Sequence, residues 1–358
     1  DILPLFREEF NALCTFMRTP DRRAISKNYT AEIKGNEILS LSEKPKLPSN
    51  NLLGVGTYAF DPIIFEYIKK TPPSLLRNEI EITDVIDTLA RKESKVYAFF
   101  LEGYYTNINT VEDLNSAVYQ WRSSHFDTYA KSLVIPAHNE AESIGKVIED
   151  FIDSVSEILV VDNNSTDETA RIARKHNAVV VSEPAQGYGN ALRCGMNNAK
   201  GDILVITEAD ASFKSKDLTK ILEHLKNADM VVGTRTSKQL IEDGANMDLF
   251  LRWGNMALGK AIELLWWNKR CRFTDVGCTY RGLWKEAYKR IRDNLKSEGP
   301  EFSVEMMIEI LKADMKVIEM PVTYYQRYGG ESKHSASRTQ SFCTGLKMIS
   351  VILRKLMK

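Results

Sequence analysis

Two carboxylates two positions apart, Glu208 and Asp210, follow a run of four apolar residues at 203–206. Such a run reads as a buried parallel strand. Alternate side chains of an extended segment point the same way. Both carboxylates would then face one spot just past a strand's carboxyl end, where open α/β sheets bind ligands. Hard oxygen ligands at this spacing suit Mg2+ or Mn2+, with a phosphate completing the shell. A solvated acidic turn is the other reading of these residues, and the surroundings weigh against it.

The pair needs strands and helices to carry it, and the flanking sequence supplies them. SLVIP at 132–136 reads as a strand, and Ile144, Val147, Ile148, Phe151 and Ile152 mark one helical face. EILVVD at 157–162 is the next strand, and Ser165-Thr166-Asp167-Glu168 matches a capping box that opens a helix. A strand at 178–181, helices at 187–199 and 218–225 and a strand at 230–232 complete the pattern. Strands alternating with helices of this length predict an α/β fold with a doubly wound, mostly parallel sheet. Polar residues collect at the strand ends, in 136–140 and 162–165 as well as in the acid pair. The right-handed crossover rule brings these ends together along one edge of the sheet. There Asp162 can accept from a base imide N–H and Glu140 from ribose hydroxyls. Either residue alone would read as a helix N-cap, but three such groups at strand ends favour a binding site.

The pieces VIPAHNEAESI, VVDNNSTDET, EPAQGYGNALRCG, GDILVITEADASF, VVGTR, TDVGCTYRGL, EFSVEM and YYQRYGGESKHS occur in this order between residues 134 and 335. They resemble the inverting GT-A glycosyltransferases of family 2, and among these the polyprenyl- or dolichyl-phosphate sugar synthases. The resemblance implies a Rossmann-like GT-A domain and a nucleotide-sugar donor of the UDP, dTDP or GDP type. It implies that Pro136, Ala137, Asn139, Glu140, Asp162, Asn164, Gly187, Glu208 and Ala209 hold the donor, and that Glu208 and Asp210 hold the metal. The family usually has Asp where this chain has Glu208, whose longer arm still ligates. Arg235 ends VVGTR, Arg281 lies in TYRGL, and Arg327, Ser332 and Lys333 cluster in RYGGESK. Arg and Lys among flexible glycines suit an acceptor phosphate, whereas a solvated loop is the alternative for 327–333. Asp210, Arg235, Arg281 and Glu305 form the expected catalytic set, acting by positioning and by stabilising the leaving diphosphate. Glu305 in EFSVEM either orients the sugar or caps or solvates a helix. His138 is expected as a shape and hydrogen-bond element beside the nucleotide.

Residues before 125 follow another plan. Strands are predicted around Gly35, over 52–60, 96–101 and 104–108. Helices are predicted from Pro62, over 82–92 and over 110–121, where Thr110 and Asp113 form a capping pair. Glu43-Lys44-Pro45, GVGTYAFDP from Gly54 and NEIEITD at 78–84 resemble the sugar-1-phosphate nucleotidylyltransferases. The resemblance places Glu43 and Lys44 at the sugar and its phosphate, with Gly54 and Glu79 near the sugar. Two departures argue for a partial, inactive domain. The family's Trp-x-Asp-x-Gly stretch is Tyr105-Thr106-Asn107-Ile108-Asn109 here, and Asn is a weak ligand for a hard cation. The Gly-rich nucleotide loop is absent, leaving only Asp1 as a counterpart of that half's metal ligand.

The expected domains are therefore 1–125, 130–340 and an amphipathic basic helix at 341–358. A hydrophobic content of 43% and charged content of 27% suit a globular protein, and zero net charge gives no field for nucleic acid. The five scattered cysteines suit reduced thiols in a cytoplasmic setting. No run reaches the roughly 18 apolar residues of a membrane span, and no signal peptide is read. The chain starts at Asp1, which leaves a fragment open. Apolar, aromatic and basic residues at 264–270 and 346–358 suit a membrane interface or ordinary packing equally. The expected activity is metal-dependent, inverting transfer of a hexose from a nucleotide-sugar to a polyprenyl phosphate, on the cytoplasmic membrane face. Transfer to a glycan or protein acceptor is the alternative within the same fold, and a non-catalytic sugar-nucleotide-binding module is the alternative outside it.

Overall fold

The computed structural model describes residues 9–74, 78–245, 247, 249–269, 271–329 and 338–357. The chain divides into two compact units between Ile108 and Asn109.

In the first unit the elements run β1 (Ala12–Arg18), α1 (Arg22–Lys27), β2 (Tyr29–Lys34), β3 (Glu37–Glu43), β4 (Leu52–Phe60), α2 (Ile64–Lys70), α3 (Ile82–Lys92) and β5 (Val96–Phe100). The sheet order is β2-β3-β5-β1-β4, with β1 and β5 parallel and the other pairs antiparallel. The stripe expected on α3 is real: Val85, Ile86 and Leu89 are fully buried against Phe16, Ile38 and Val96. Two expectations change. Residues 104–108 form no strand, and Tyr104 and Ile108 are exposed. Helix α2 begins at Ile64 rather than at Pro62, which sits in the preceding turn.

The second unit begins with α4 (Val111–Ser124), which the sequence reading put in the first domain. Its predicted capping box forms between Thr110 and Asp113. Arg122 and Tyr119 on this helix both donate to Asp229, each at 2.8 Å, and so tie it to the second unit. Then follow β6 (Lys131–Ala137), α5 (Ile144–Phe151), β7 (Glu157–Asp162), α6 (Thr169–Lys175), β8 (Val179–Ser182), α7 (Tyr188–Asn198), β9 (Ile203–Ile206), α8 (Leu218–Leu225), β10 (Met230–Thr234) and α9 (Leu249–Leu265). The unit ends with β11 (Arg281–Trp284), α10 (Lys285–Ile291), α11 (Phe302–Lys312), β12 (Val317–Pro321) and α12 (Arg338–Leu356).

The strand order is β12-β10-β11-β9-β6-β7-β8. Only β11 opposes its neighbours among these strands, so the sheet is mixed but mostly parallel. Strand β9 is buried along its whole length, as a continuous apolar run in a covered parallel sheet must be. Ala137 pairs with Asp162 and Val134 with Ile206. This register sets the ends of β6, β7 and β9 side by side, with the acid pair beginning two residues past Ile206. The predicted capping box at 165–168 does not form. Instead Asp167 accepts from Thr169 N at 3.0 Å and Ala141 N at 3.1 Å, and α6 starts at Thr169.

Candidate active site

A cavity of about 680 Å³ opens over the carboxyl ends of β6, β7 and β9. Its polar lining is built from Pro136, Ala137, His138 and Glu140 after β6, Asn163 after β7, Gln186, Gly187 and Tyr188 at the start of α7, and Glu208, Ala209 and Asp210 after β9. Arg235, Thr279 and Arg327 add to the polar lining, and apolar residues of α9 and α12 line the cavity as well.

The acid pair is held rather than loose. Asp210 is buried, and its Oδ1 accepts from Ser212 N at 3.0 Å and Ser212 Oγ at 2.6 Å. This pins one oxygen and leaves the other 3.4 Å from Arg327 Nη1. Glu208 Oε1 accepts from Thr279 Oγ at 2.6 Å. Burial, and then the charge of Asp210, push the Glu208 carboxyl up to about 8. A buried and a half-buried carboxylate that resist sharing one site are a setting a divalent cation relieves. Among the described residues no group of three or more His, Cys, Asp or Glu side chains gathers into a cage. The protein would therefore supply these two oxygen ligands and leave the remaining positions to phosphate and water, which suits Mg2+ or Mn2+.

Arg327 stands over this pair. It bridges Asp210 and Glu140, and its Nε donates to Gly329 O at 2.9 Å. Burial opposes its charge, but Asp210 and Glu140 outweigh it and raise its pKa. Arg235 is bound to Asp275 through Nε at 2.8 Å and Nη2 at 3.0 Å. It therefore faces the cavity as half of a buried ion pair. Gly187 has φ 151°, a backbone position that favours glycine, and a Cβ there would meet Glu298 O at 2.5 Å. The start of α7 is thus pressed against residues 297–298, with Gly189 N donating to Glu298 O at 2.7 Å.

Pro136, Ala137, Glu140, Gly187, Glu208, Ala209, Asp210, Arg235 and Arg327 all reach the cavity, as does His138, whose Nδ1 lies 2.9 Å from Asn163 O. Asn139, Asp162 and Asn164 do not line it. Asn139 and Asn164 hold left-handed backbone turns with φ 55° and 63°, Asn139 accepts from Thr166 N at 2.8 Å, and Asp162 from Ser165 N at 3.2 Å. They shape the loops that carry the lining residues. The two other departures concern the expected catalytic set. Arg281 is fully buried and donates to the carbonyls of Cys278, Ser303 and Val276, so its guanidinium is spent behind the wall. Glu305 is likewise buried. It accepts from Lys296 N and Ser297 N of the loop before α11 and meets Lys355 Nζ at 2.9 Å, so it neither caps a helix nor is solvated. Ser332 and Lys333 lie outside the described residues.

Sequence reasoning missed Asn163, Gln186, Tyr188, Thr279 and the apolar lining. Thr279 sits two residues before Arg281 in TDVGCTYRGL, lines the cavity and donates to Glu208. Asn163 donates to the carbonyls of Glu183 and Ala185 and accepts from Gly187 N, so it knits two loops at the cavity edge.

In the first unit, Glu43 and Lys44 pair with each other at 3.8 Å, and Glu79 is exposed. Gly54 serves packing, since a Cβ there would lie 2.3 Å from the Tyr29 ring. Asn107, which stands where the resembled family has a metal-binding Asp, accepts from Tyr105 OH at 2.5 Å and donates to Asn28 Oδ1 at 2.9 Å.

Comparison with known proteins finds two families in the same order, the first of which runs past Ile108 and over most of α4. The family model described as glycosyl transferase family 2 matches residues 132–291, and the one described as nucleotidyl transferase matches residues 6–122. An uncharacterized glycosyltransferase of Mycobacterium tuberculosis is 33% identical over 224 residues, covering 62% of this chain and 98% of the relative. Glycosyltransferase AglJ of Haloferax volcanii is 30% identical over 204 residues, covering 56% of this chain and 65% of the relative. Among solved structures, glucosyl-3-phosphoglycerate synthase of Mycobacterium tuberculosis superposes with TM-score 0.52 at 18% identity, covering 71% of this chain and 86% of that one. Mannosyl-3-phosphoglycerate synthase of Rubrobacter xylanophilus superposes with TM-score 0.52 at 20% identity, covering 66% and 76%. These likenesses establish the fold. With its strand-end site and a relative matched over nearly its whole length, this chain belongs to glycosyl transferase family 2 and is a glycosyltransferase, preceded by a nucleotidyltransferase-like unit.

Proposed function

We propose that the enzyme transfers a hexose, with inversion, from a nucleoside-diphosphate sugar to a polyprenyl phosphate. The observation that carries this reading is the mixed lining of the cavity: acids and arginines at the strand ends together with apolar side chains of α9 and α12. A nucleotide-sugar uses only the polar lining. An acceptor with a phosphate head and a hydrocarbon tail uses both.

The donor is of the UDP, dTDP or GDP type, with UDP-glucose preferred. The glucosyl-3-phosphoglycerate synthase structure was solved with Mn2+, UDP-glucose and phosphoglyceric acid, which supports that preference. Glu208 and Asp210 would hold Mg2+ or Mn2+, which supplies positive charge to the leaving diphosphate. The loops after β6 and β7 would seat the nucleoside. Arg235, held by Asp275, would add fixed charge on the diphosphate side. An acceptor phosphate is already anionic and needs little general-base help. Its oxygen attacks the anomeric carbon on the face opposite the diphosphate, and the old C–O bond pair departs with the nucleoside diphosphate. Arg327, with Ser332 and Lys333 from the same stretch, would hold the acceptor phosphate.

The reaction is placed at the cytoplasmic membrane face. Among the described residues no helix is long and apolar enough to cross a membrane. The first unit is read as inactive in nucleotidyl transfer. Asn107 in place of a metal-binding carboxylate supports this.

Labelled UDP-, dTDP- and GDP-sugars incubated with Mn2+ and undecaprenyl or dolichyl phosphate test the proposal. Label is expected in the organic phase. The structural neighbour's phosphoglyceric acid makes a small phosphorylated acid the second acceptor to try. Label moving only to that acid, or only to a water-soluble glycan, would sink the lipid reading. Donor binding without turnover on any acceptor would favour a binding module.

A further inference from the structure

Helix α12 carries Phe342, Leu346, Ile349, Leu353 and Leu356, spaced four, three, four and three residues apart, and every one is exposed. That spacing lays them on one stripe. The opposite side of α12 is secured to the protein by buried Met348, Val351, Ile352 and Lys355, the last with its ammonium 2.9 Å from both Glu305 and Glu309. Helix α9 packs against α12 and exposes Leu249, Phe250, Trp253 and Leu264. Trp253 is 65% exposed, Phe342 59% and Leu353 52%, and large exposed apolar surface of this kind marks an interaction site.

We propose that the paired outer faces of α9 and α12 are a membrane-docking surface for an anionic bilayer, and that the active-site cavity opens onto it. Three observations select a bilayer over a second protein. First, Phe250, Phe342, Leu346 and Ile349 are exposed and also line the cavity, so its mouth lies within the apolar face. A protein seated there would cap the site, whereas a bilayer would deliver the acceptor to it. Second, residues 338–357 hold no Asp or Glu, while Lys347 is exposed and Arg252 flanks Trp253 on α9. That charge complements acidic headgroups. Third, neither helix is a candidate span among the described residues, and a Trp- and Phe-bearing helix with basic flanks rests in the interface plane. The surface itself stands on geometry. Only its role in acceptor delivery rests on the lipid-phosphate reading.

The test uses Trp253→Glu combined with Leu353→Glu, two exposed positions outside the cavity lining. The probes are vesicles of phosphatidylcholine with phosphatidylglycerol, undecaprenyl phosphate within them, and geranyl phosphate as a short soluble acceptor. Wild type is expected to co-sediment with these vesicles and to bind pure phosphatidylcholine less. The double variant should bind about tenfold to a hundredfold more weakly, the effect of withdrawing large apolar side chains from an apolar phase. Its KM for undecaprenyl phosphate should rise in step, while transfer to geranyl phosphate and the melting temperature stay at wild-type values. Vesicle binding unchanged in the double variant overturns the surface. So does a wild type that ignores vesicles and instead dimerises through this face, as read by light scattering with and without the substitutions. If wild type uses neither prenyl phosphate yet binds vesicles through these residues, the surface stands and the proposed acceptor fails.

Discussion

Asp275 offers a sharp test of how Arg235 is deployed. The carboxylate is fully buried and accepts from Arg235 N at 3.0 Å, Nε at 2.8 Å, Nη2 at 3.0 Å and Gly277 N at 3.1 Å. Asp275→Leu removes all four acceptor bonds and leaves a buried guanidinium uncompensated. Breaking a buried pair in this way costs about 3–5 kcal/mol, against a total stability of about 5–15 kcal/mol for a typical domain. Adding Arg235→Met removes the orphaned charge, and the double variant should recover to within about 1–2 kcal/mol of wild type. All five tryptophans lie after residue 108, so urea unfolding followed by tryptophan fluorescence reports the glycosyltransferase unit alone. Activity should part from stability. The double variant should stay folded yet lose about a hundredfold in kcat, the usual scale for one electrostatic contact to developing charge. Burial pushes the Asp275 carboxyl up, but the Arg235 charge and hydrogen bonds hold it below the usual range. A depressed folded pKa means that this stabilisation is complete above about pH 4, the unfolded value, and is lost as pH falls through the folded one. A cost under about 1 kcal/mol for Asp275→Leu would refute the buried-pair reasoning. A double variant with wild-type kcat would confine Arg235 to structure.

The acid pair gives a second test: Asp210→Ala should abolish transfer and Mn2+ binding measured by calorimetry, whereas Glu208→Asp should retain both. Full turnover by Asp210→Ala in excess EDTA would remove the metal assignment. Arg281→Met should lower the melting temperature strongly, since three buried carbonyls lose their donor at about 1–3 kcal/mol each, with kcat per folded molecule kept at low temperature. Lost kcat at unchanged melting temperature would return Arg281 to the chemistry. Arg327→Ala should raise the acceptor KM about tenfold to a hundredfold, a larger effect than on donor Kd, which moves only through its partners Glu140 and Asp210, and Arg327→Lys should rescue only part of it. An unchanged acceptor KM would end its phosphate role.

Much of the second unit could be read from local pattern alone. A continuous apolar run such as 203–206 has one stable place, inside a covered sheet, and β7, β9 and α8 begin and end where their periodicity says they should. Polar residues directly after such strands must lie at the sheet's edge, so Glu140, Glu208 and Asp210 were identifiable as neighbours before any coordinate. Spacing along the chain determines these features, because backbone geometry converts it directly into direction. Burial and partnership are set by what comes from elsewhere. Arg281 and Arg235 look equivalent as lone cations in motif segments. Tertiary structure gives one three carbonyls behind the wall and the other a place in the cavity beside Asp275. Glu305 faces Lys355, fifty residues on, rather than a sugar. Asn139 and Asn164 turn their loops and do not touch the cavity. Two helices far apart in the chain, α9 and α12, meet to make its apolar lining, and neither predicts the other. Local sequence determined which groups stand at the strand ends, through strand and helix periodicity. Long-range packing decided which charges stay available and what covers them, because those depend on desolvation and on partners the local chain does not contain.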